Sequence, residues 1–143
     1  MKLTDIHTEL KADFTIKRDQ LDEELHRIPD LMNKWFPILS EERLRLKRLE
    51  REHKALIWGK TEYYLGHGSP EMYKQEPLDR VILKSDVGMW LDADAKIAES
   101  QSKIDIQQEK VHHIERAIKH LDSRGFNINS AVNFLKFTKG QDF

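Results

Sequence analysis

Residues 40–66, SEERLRLKRLEREHKALIWGKTEYYLG, decide the fold class of this chain. Ser40 is a good N-cap, and the glutamates that follow it suit the positive end of a helix. Gly66 can adopt the left-handed conformation that commonly ends a helix. The apolar side chains recur at helical spacing and form a core face, which consists of Leu39, Leu46, Leu49, Leu56 and Ile57. The segment therefore predicts one amphipathic helix that ends near Leu65.

Helical spacing continues toward the N-terminus. Thr4 or Asp5 could cap a short first helix. A second helix is predicted from about Asp19, with a kink or a restart at Pro29, because proline removes an internal hydrogen bond. The apolar side of that helix continues as far as Pro37. This part of the chain therefore predicts separate helices ahead of the one described above.

The C-terminal half is predicted to be helical as well, apart from two segments. Residues 66–77 are rich in glycine and proline, which predicts a loop. Residues 80–84 suit either a short strand or a buried helical turn. A long helix follows from about Trp90 to Ser123, and a short terminal helix ends near Gly140. The expected fold class is mainly α, with a minor β element near 80–84 left open.

Composition limits the class of protein. Of the 143 residues, 38% are hydrophobic and 34% are charged, so we expect a modest core stabilised in part by helix pairing or self-association. The absence of cysteine excludes disulfides and thiol chemistry. The N-terminus lacks the apolar segment of a signal peptide, and no segment is apolar enough to span a bilayer. These features predict a soluble intracellular protein with no membrane partner.

Seven-residue spacing marks the long C-terminal helix. Its apolar residues recur at this interval, with two more in the second half, and they are Ile97, Ile104, Val111, Ile114, Ile118 and Leu121. Such spacing is the signature of a coiled-coil seam between subunits. Packing against the 40–65 helix within one chain would produce a similar pattern, so both interpretations stay open.

A row of four basic residues that ends in a tryptophan lies on another side of the 40–65 helix. Separations of four, four, three and four residues place its members on one face, and we call them the basic stripe: Arg43, Lys47, Arg51, Lys54 and Trp58. Tyr63 and Tyr64 follow closely. Single-stranded nucleic acid needs cations for its phosphates and aromatic faces for its bases, so the stripe predicts that kind of ligand. The alternative is a helix whose charges are simply solvated.

The residues after Trp58 divide between two faces of the helix. If the helix continues through Gly59, then Lys60 and Tyr64 return to the core face. The tyrosines would then pack in the core or in a groove between subunits instead of extending the stripe. Gly59 inside a helix costs about 1 kcal/mol relative to alanine, which indicates either a bend or a close backbone approach.

Signals of catalysis are absent from the sequence. Three Glu-x-x-His pairs, which begin at Glu23, Glu50 and Glu109, have a spacing that helix-bundle metal proteins use. Their flanking residues are polar, and we expect no metal or other cofactor. No phosphate-binding loop and no Ser/His/Asp arrangement has sequence support. A binding protein is therefore favoured over an enzyme.

Several short motifs occur in a fixed order along the chain. The central motif is residues 60–68, KTEYYLGHG, in which a basic residue, an acidic residue, a tyrosine pair and a glycine occur in order. The others are the opening at residues 2–11, the pair Lys34-Trp35 and the segment 123–128. In order and spacing these motifs, which extend over nearly the whole chain, resemble those of the UvsY recombination mediators of tailed phages.

The resemblance implies a non-enzymatic protein that binds single-stranded DNA and forms ring-like homo-oligomers of hexamer to heptamer size. It implies that the protein helps a RecA-like phage recombinase to displace the phage single-strand binding protein, in the cytoplasm of the infected bacterial host. DNA contact is implied at Lys60 and at the basic residues before the tyrosines, although Trp58 stands where another member carries a positive charge. We accordingly expect a DNA-binding region at 1–85 and an oligomerisation region at 86–143, within one domain or two.

Overall fold

A computed structural model of the protein describes residues 1–140. In chain order its elements are α1 (Leu3–Phe14), α2 (Leu21–Tyr64), α3 (Pro70–Gln75), a 3-10 turn (Lys84–Asp86), α4 (Val87–Asp92) and α5 (Ala95–Thr138). Residues 1–140 contain no β-strand, so the expectation of a mainly α fold is confirmed. Within this range no helix is long and apolar enough to cross a membrane.

The chain divides into two compact units, and the long helices α2 and α5 contribute to both. The terminal unit consists of Met1–Arg43 together with the described residues from Gln108 onward. The central unit is Leu44–Gln107. Each unit takes chain from both sides of position 85, and the functional division at that position stays a prediction.

The core of the terminal unit stabilises α2 where the helix contains two prolines, Pro29 and Pro37. Trp35 is fully buried, and its indole Nε1 donates a 3.0 Å hydrogen bond to the Asp13 carboxylate in α1. Of the kink or restart predicted at Pro29, the restart is excluded, and the predicted new helix at Ser40 is wrong, because α2 is one helix from Leu21 to Tyr64. Each proline costs about 3 kcal/mol in a helix interior. Burial of side chains such as Trp35 and Leu31, worth about 1.5–3 kcal/mol each, offsets that cost.

The C-terminal helix α5 also runs further than the sequence predicts. A stop at Ser123 and a separate terminal helix are both wrong, since α5 continues to Thr138. Leu121 and Ile128 on either side of Gly125 are each 2% exposed, and their burial holds the helix together across the glycine. A Cβ on Gly125 would lie 3.9 Å from Leu25, which is ordinary contact with α2.

The connection between α2 and α5 in the central unit contains two short helices. Gly66 has φ +85°, so the predicted left-handed end of α2 is confirmed. The predicted loop at 66–77 includes α3, which Ser69 caps by accepting a 3.3 Å hydrogen bond from the Met72 N–H. In the 80–84 segment Ile82 is buried while its neighbours are exposed, and no strand partner lies beside it within the described chain. A 3-10 turn begins at Lys84 instead.

Candidate nucleic-acid interface

The basic stripe lies on the exposed side of α2. Lys47, Arg51 and Lys54 are exposed, and none of the three has a hydrogen-bond or ion-pair partner among residues 1–140. Trp58 is 69% exposed, although tryptophan is a residue that folded proteins usually bury. These four residues all belong to the central unit. They leave three uncompensated cations and one aromatic face available to a ligand.

Arg43, the first residue of the stripe, differs from the others. It lies in the terminal unit, where its guanidinium Nη2 contacts the Glu115 carboxylate at 2.7 Å and its Nε donates to the same oxygen at 3.1 Å. Both side chains are exposed, so the pair contributes little to stability. The carboxylate nevertheless compensates the charge of Arg43, which therefore adds less positive potential than the three free cations.

Lys60 lies on the inner side of the helix, as the unbroken helical register requires. Its side chain is 11% exposed, and its ammonium Nζ lies 3.2 Å from Asp94 Oδ2 and 3.3 Å from Glu76 Oε2. Lys96 contacts the other oxygen of Glu76. Hydrogen bonds from Lys96 and then from Lys60 hold the pKa of Glu76 below its ordinary value. Two lysines and two carboxylates thus form a charge-balanced cluster, which we call the Lys60 cluster.

Asp94 joins this cluster to the start of α5. Its Oδ1 accepts hydrogen bonds from the backbone N–H groups of Lys96 and Ile97, at 2.9 and 3.1 Å, so it is the N-cap of α5. Burial alone raises the pKa of Asp94, but hydrogen bonds from Tyr64, the Ile97 backbone and Lys60 outweigh burial and the pKa is lowered. Sequence analysis missed this residue, although aspartate ahead of a helical segment is a recognised cap signal.

The tyrosine pair is packed inside the central unit. Tyr63 is 5% exposed, and its hydroxyl donates to the Glu76 carbonyl at 2.8 Å. The Tyr64 hydroxyl donates to Asp94 Oδ2 at 2.6 Å. Burial raises the pKa of both tyrosines, so both hydroxyls stay protonated near neutral pH. Stacking of Tyr63 on Tyr73, with ring centroids 5.2 Å apart, further encloses the first ring.

Most of the residues assigned to a subunit seam are buried within the single chain. Ile97 is half-buried, and the remaining five have exposed fractions below 10%: Ile104, Val111, Ile114, Ile118 and Leu121. They supply packing within the chain, and their role between subunits stays a prediction. Exposed apolar side chains occur instead near the end of α5, where Phe126, Phe134 and Phe137 are 75%, 65% and 82% exposed.

No metal site is evident in the part of the chain that the structure describes. Residues 1–140 contain no group of three or more histidine, aspartate or glutamate side chains arranged to hold a metal ion. The Glu-x-x-His pairs of the sequence therefore do not converge there. His53, in one of these pairs, instead contacts the hydroxyl of Ser100 at 2.9 Å.

Comparison with known proteins places these features in a family. Residues 9–141 match the family model described as the recombination, repair and ssDNA binding protein UvsY. The chain belongs to the UvsY family. The resemblance seen in the short motifs is therefore confirmed, and the UvsY family is one of recombination, repair and single-stranded DNA binding.

Relatives of the UvsY family from phage T4 align over nearly the full length. The recombination protein uvsY of Enterobacteria phage T4 is 24% identical over 141 residues, which are 99% of this chain and 100% of that protein. Two crystal structures of the bacteriophage T4 recombination mediator protein UvsY are also similar. The first match covers 94% of this chain and 98% of the crystallised chain, with a TM-score of 0.79. The second covers 97% of this chain and 98% of the crystallised chain, with a TM-score of 0.82. Both are 24% identical, and they show that the fold is shared.

Proposed function

We propose that the protein is a recombination mediator that binds single-stranded DNA and helps to load a RecA-like phage recombinase. In this role it acts on DNA covered by the phage single-strand binding protein, in the cytoplasm of the infected host. Membership of the UvsY family supports the recombination role. The observation that carries the proposal is the set of three unpaired cations, Lys47, Arg51 and Lys54, beside the exposed ring of Trp58.

The stripe suits the chemistry of a single strand. Phosphates require positive charge that is not already compensated, which Lys47, Arg51 and Lys54 provide. A base can stack on an exposed aromatic face whatever its sequence, which Trp58 provides. Arg43 is assigned a weaker contact because Glu115 competes with phosphate for its guanidinium.

We assign Lys60, Tyr63 and Tyr64 a supporting role. Lys60 is nearly buried between two carboxylates, so a phosphate would have to displace both of them. The two tyrosine hydroxyls donate to Glu76 and Asp94 and hold the end of α2 in place. In this assignment these residues fix the surface that carries Trp58, and the stripe itself contacts DNA.

Self-association supplies the affinity that one short stripe lacks. The net charge of the chain is −1, so DNA binding depends on segregated charge, and repetition of the stripe around a ring multiplies that charge. We propose a ring-like homo-oligomer of hexamer to heptamer size, in which the exposed phenylalanines of α5 meet neighbouring copies. An exposed apolar group of this kind is typical of protein interfaces.

Fluorescence anisotropy tests the proposal directly. Labelled single-stranded and double-stranded oligonucleotides would be titrated with protein of known mass across a series of salt concentrations. The proposal predicts preferential binding to the single strand and a steep linear fall of log affinity with log salt. An oligomer that binds neither nucleic acid at low salt would instead favour a structural coiled-coil scaffold.

A further inference from the structure

A groove of about 300 Å³ lies in the central unit against one side of α2. Its walls come from α2, α3 and the start of α5, and they include Leu56, Gly59, Lys60, Met72, Gln75 and Lys96. Gly59 directly follows Trp58 in α2, so the groove adjoins the end of the basic stripe. The groove is therefore within reach of a strand that follows the stripe.

Gly59 has no role in packing that would explain its presence. Glycine is among the least favourable residues in a helix interior. A Cβ on Gly59 would meet nothing within 4 Å, and its backbone conformation is accessible to any residue. Other glycines of this region have a local reason: Gly66 has φ +85°, and a Cβ on Gly68 would lie 3.1 Å from the Tyr73 hydroxyl. The effect of Gly59 is therefore to leave the helix backbone uncovered beside Trp58, where it faces open space.

The charges of the groove differ from those of the stripe. Lys60 and Lys96 both line the groove, but Glu76 contacts both of them and Asp94 contacts Lys60. Leu56 and Met72 add apolar surface, and Gln75 adds an exposed amide that can hydrogen-bond to a base edge. A wall of compensated charge and apolar surface suits an uncharged heterocycle better than a phosphate.

We propose that this groove accepts one nucleobase of the single strand whose phosphates lie on the stripe. The bare backbone at Gly59 lets the sugar of that nucleotide approach α2, while a neighbouring base stacks on Trp58. The inference rests on the proposed DNA-binding function and adds to it a base subsite that the stripe does not contain.

Substitutions of Gly59 test the subsite without removing any contact of the fold. We expect Gly59→Ala and Gly59→Leu to keep or raise the thermal midpoint, because both residues favour a helix and a Cβ has free space. We expect anisotropy to show weaker binding of single-stranded DNA, by about tenfold for Gly59→Leu, within the range for loss of one stacked base. Gly88→Ala is the matched control, since its Cβ also meets nothing within 4 Å and Gly88 lies in α4, away from the groove. Its affinity should equal that of the wild type.

An abasic oligonucleotide of the same length separates the base subsite from other causes. It retains the phosphates and lacks the bases, so Gly59→Leu and the wild type should bind it equally. Equal affinity of Gly59→Leu and the wild type for the normal oligonucleotide would overturn the inference while leaving the DNA-binding function in place. The inference would also be overturned if Gly59→Leu lost the same factor of affinity for the abasic oligonucleotide as for the normal one. If the wild-type protein binds no single-stranded DNA, the proposed function fails and the subsite falls with it.

Discussion

The ammonium group of Lys60 lies 3.2 Å from the Asp94 carboxylate, and the two side chains are only 11% and 5% exposed. This ion pair connects the last turns of α2 to the residue that caps α5. The same carboxylate accepts the Tyr64 hydroxyl hydrogen bond at 2.6 Å. A lysine that the family resemblance associates with DNA is thus held inside the protein, where it joins two long helices of the central unit.

Loss of the Lys60 charge is expected to destabilise the protein. Lys60→Met keeps most of the aliphatic volume but leaves the buried Asp94 carboxylate without its cation. We expect the free energy of unfolding to fall by about 1–3 kcal/mol, as for a buried charged group that loses one partner. Urea denaturation followed by circular dichroism would measure this change. The matched variant Lys54→Met, at an exposed position, should change stability by less than about 0.5 kcal/mol.

The two lysine variants should also differ in their affinity for single-stranded DNA. Lys54→Met is expected to weaken binding, and Lys60→Met is expected to retain binding under conditions where the variant is folded. A Lys60→Met protein of unchanged stability that has lost DNA affinity would instead make Lys60 a direct phosphate contact.

Removal of the three free cations is expected to change the salt dependence of DNA binding. In the triple variant Lys47→Ala, Arg51→Ala, Lys54→Ala, the slope of log affinity against log salt should fall by about 2 for each subunit that contacts the strand, since each phosphate contact on a single strand contributes about 0.7. Anisotropy titrations at several salt concentrations would measure the slope. A control triple variant at exposed lysines of the terminal unit, Lys2→Ala, Lys11→Ala, Lys17→Ala, should keep a slope close to that of the wild type. Equal slopes for the two triple variants would contradict the assigned surface.

Acid is expected to weaken the central unit through the Lys60 cluster. The pKa values of Asp94 and Glu76 are lowered in the folded protein from ordinary values of 3.8 and 4.5. Because unfolding raises these pKa values, the unfolded chain binds more protons in acid. The stability they contribute is therefore present above those ordinary values and is lost as the pH falls below them and through the lowered pKa values of the folded protein. Urea denaturation between about pH 6 and pH 3 would measure this loss.

Substitution of one carboxylate should flatten that acid dependence. Asp94→Asn is expected to lower stability at neutral pH and to reduce the further loss in acid, because the group that titrates is gone. Glu52→Gln is the control, since Glu52 is exposed and has no ion-pair partner among the described residues. Its acid dependence should follow the wild type, and an Asp94→Asn profile parallel to the wild type would contradict the assignment.

The exposed phenylalanines at the end of α5 are expected to control self-association. The double variant Phe134→Ser, Phe137→Ser removes apolar side chains that are 65% and 82% exposed, so folding within one chain should be little affected. Multi-angle light scattering should show a smaller assembly at unchanged helix content. Met89→Ser, at a 66% exposed position of the central unit, serves as the control and should keep the wild-type mass.

Surface substitutions are preferable here to shortening the chain. A truncation before Ile97 would remove Ile114 and Leu121, which are buried within the terminal unit, and would therefore unfold it. An unchanged mass for the phenylalanine double variant would place the interface elsewhere on the chain.

Local patterns in the sequence determined the helical fold class, the left-handed end of α2 at Gly66 and the separation of the basic stripe from the core face. Each of these depends on residues within a few turns of one another, where spacing alone sets which side chains share a face. The exposure of Trp58 follows from the same register. Short motifs in a constant order also sufficed to indicate the UvsY family.

Only the tertiary structure decided where helices persist and which charges are free. The burial of Trp35 keeps α2 intact across Pro29, and that of Ile128 keeps α5 intact across Gly125, against local preference. Lys60 and Lys54 are both lysines of one helix, yet only Lys60 meets carboxylates, which come from residues 16 and 34 positions further along the chain. Such contacts join segments that are distant in the sequence. They can outweigh the local conformational preference, but the local sequence does not indicate them.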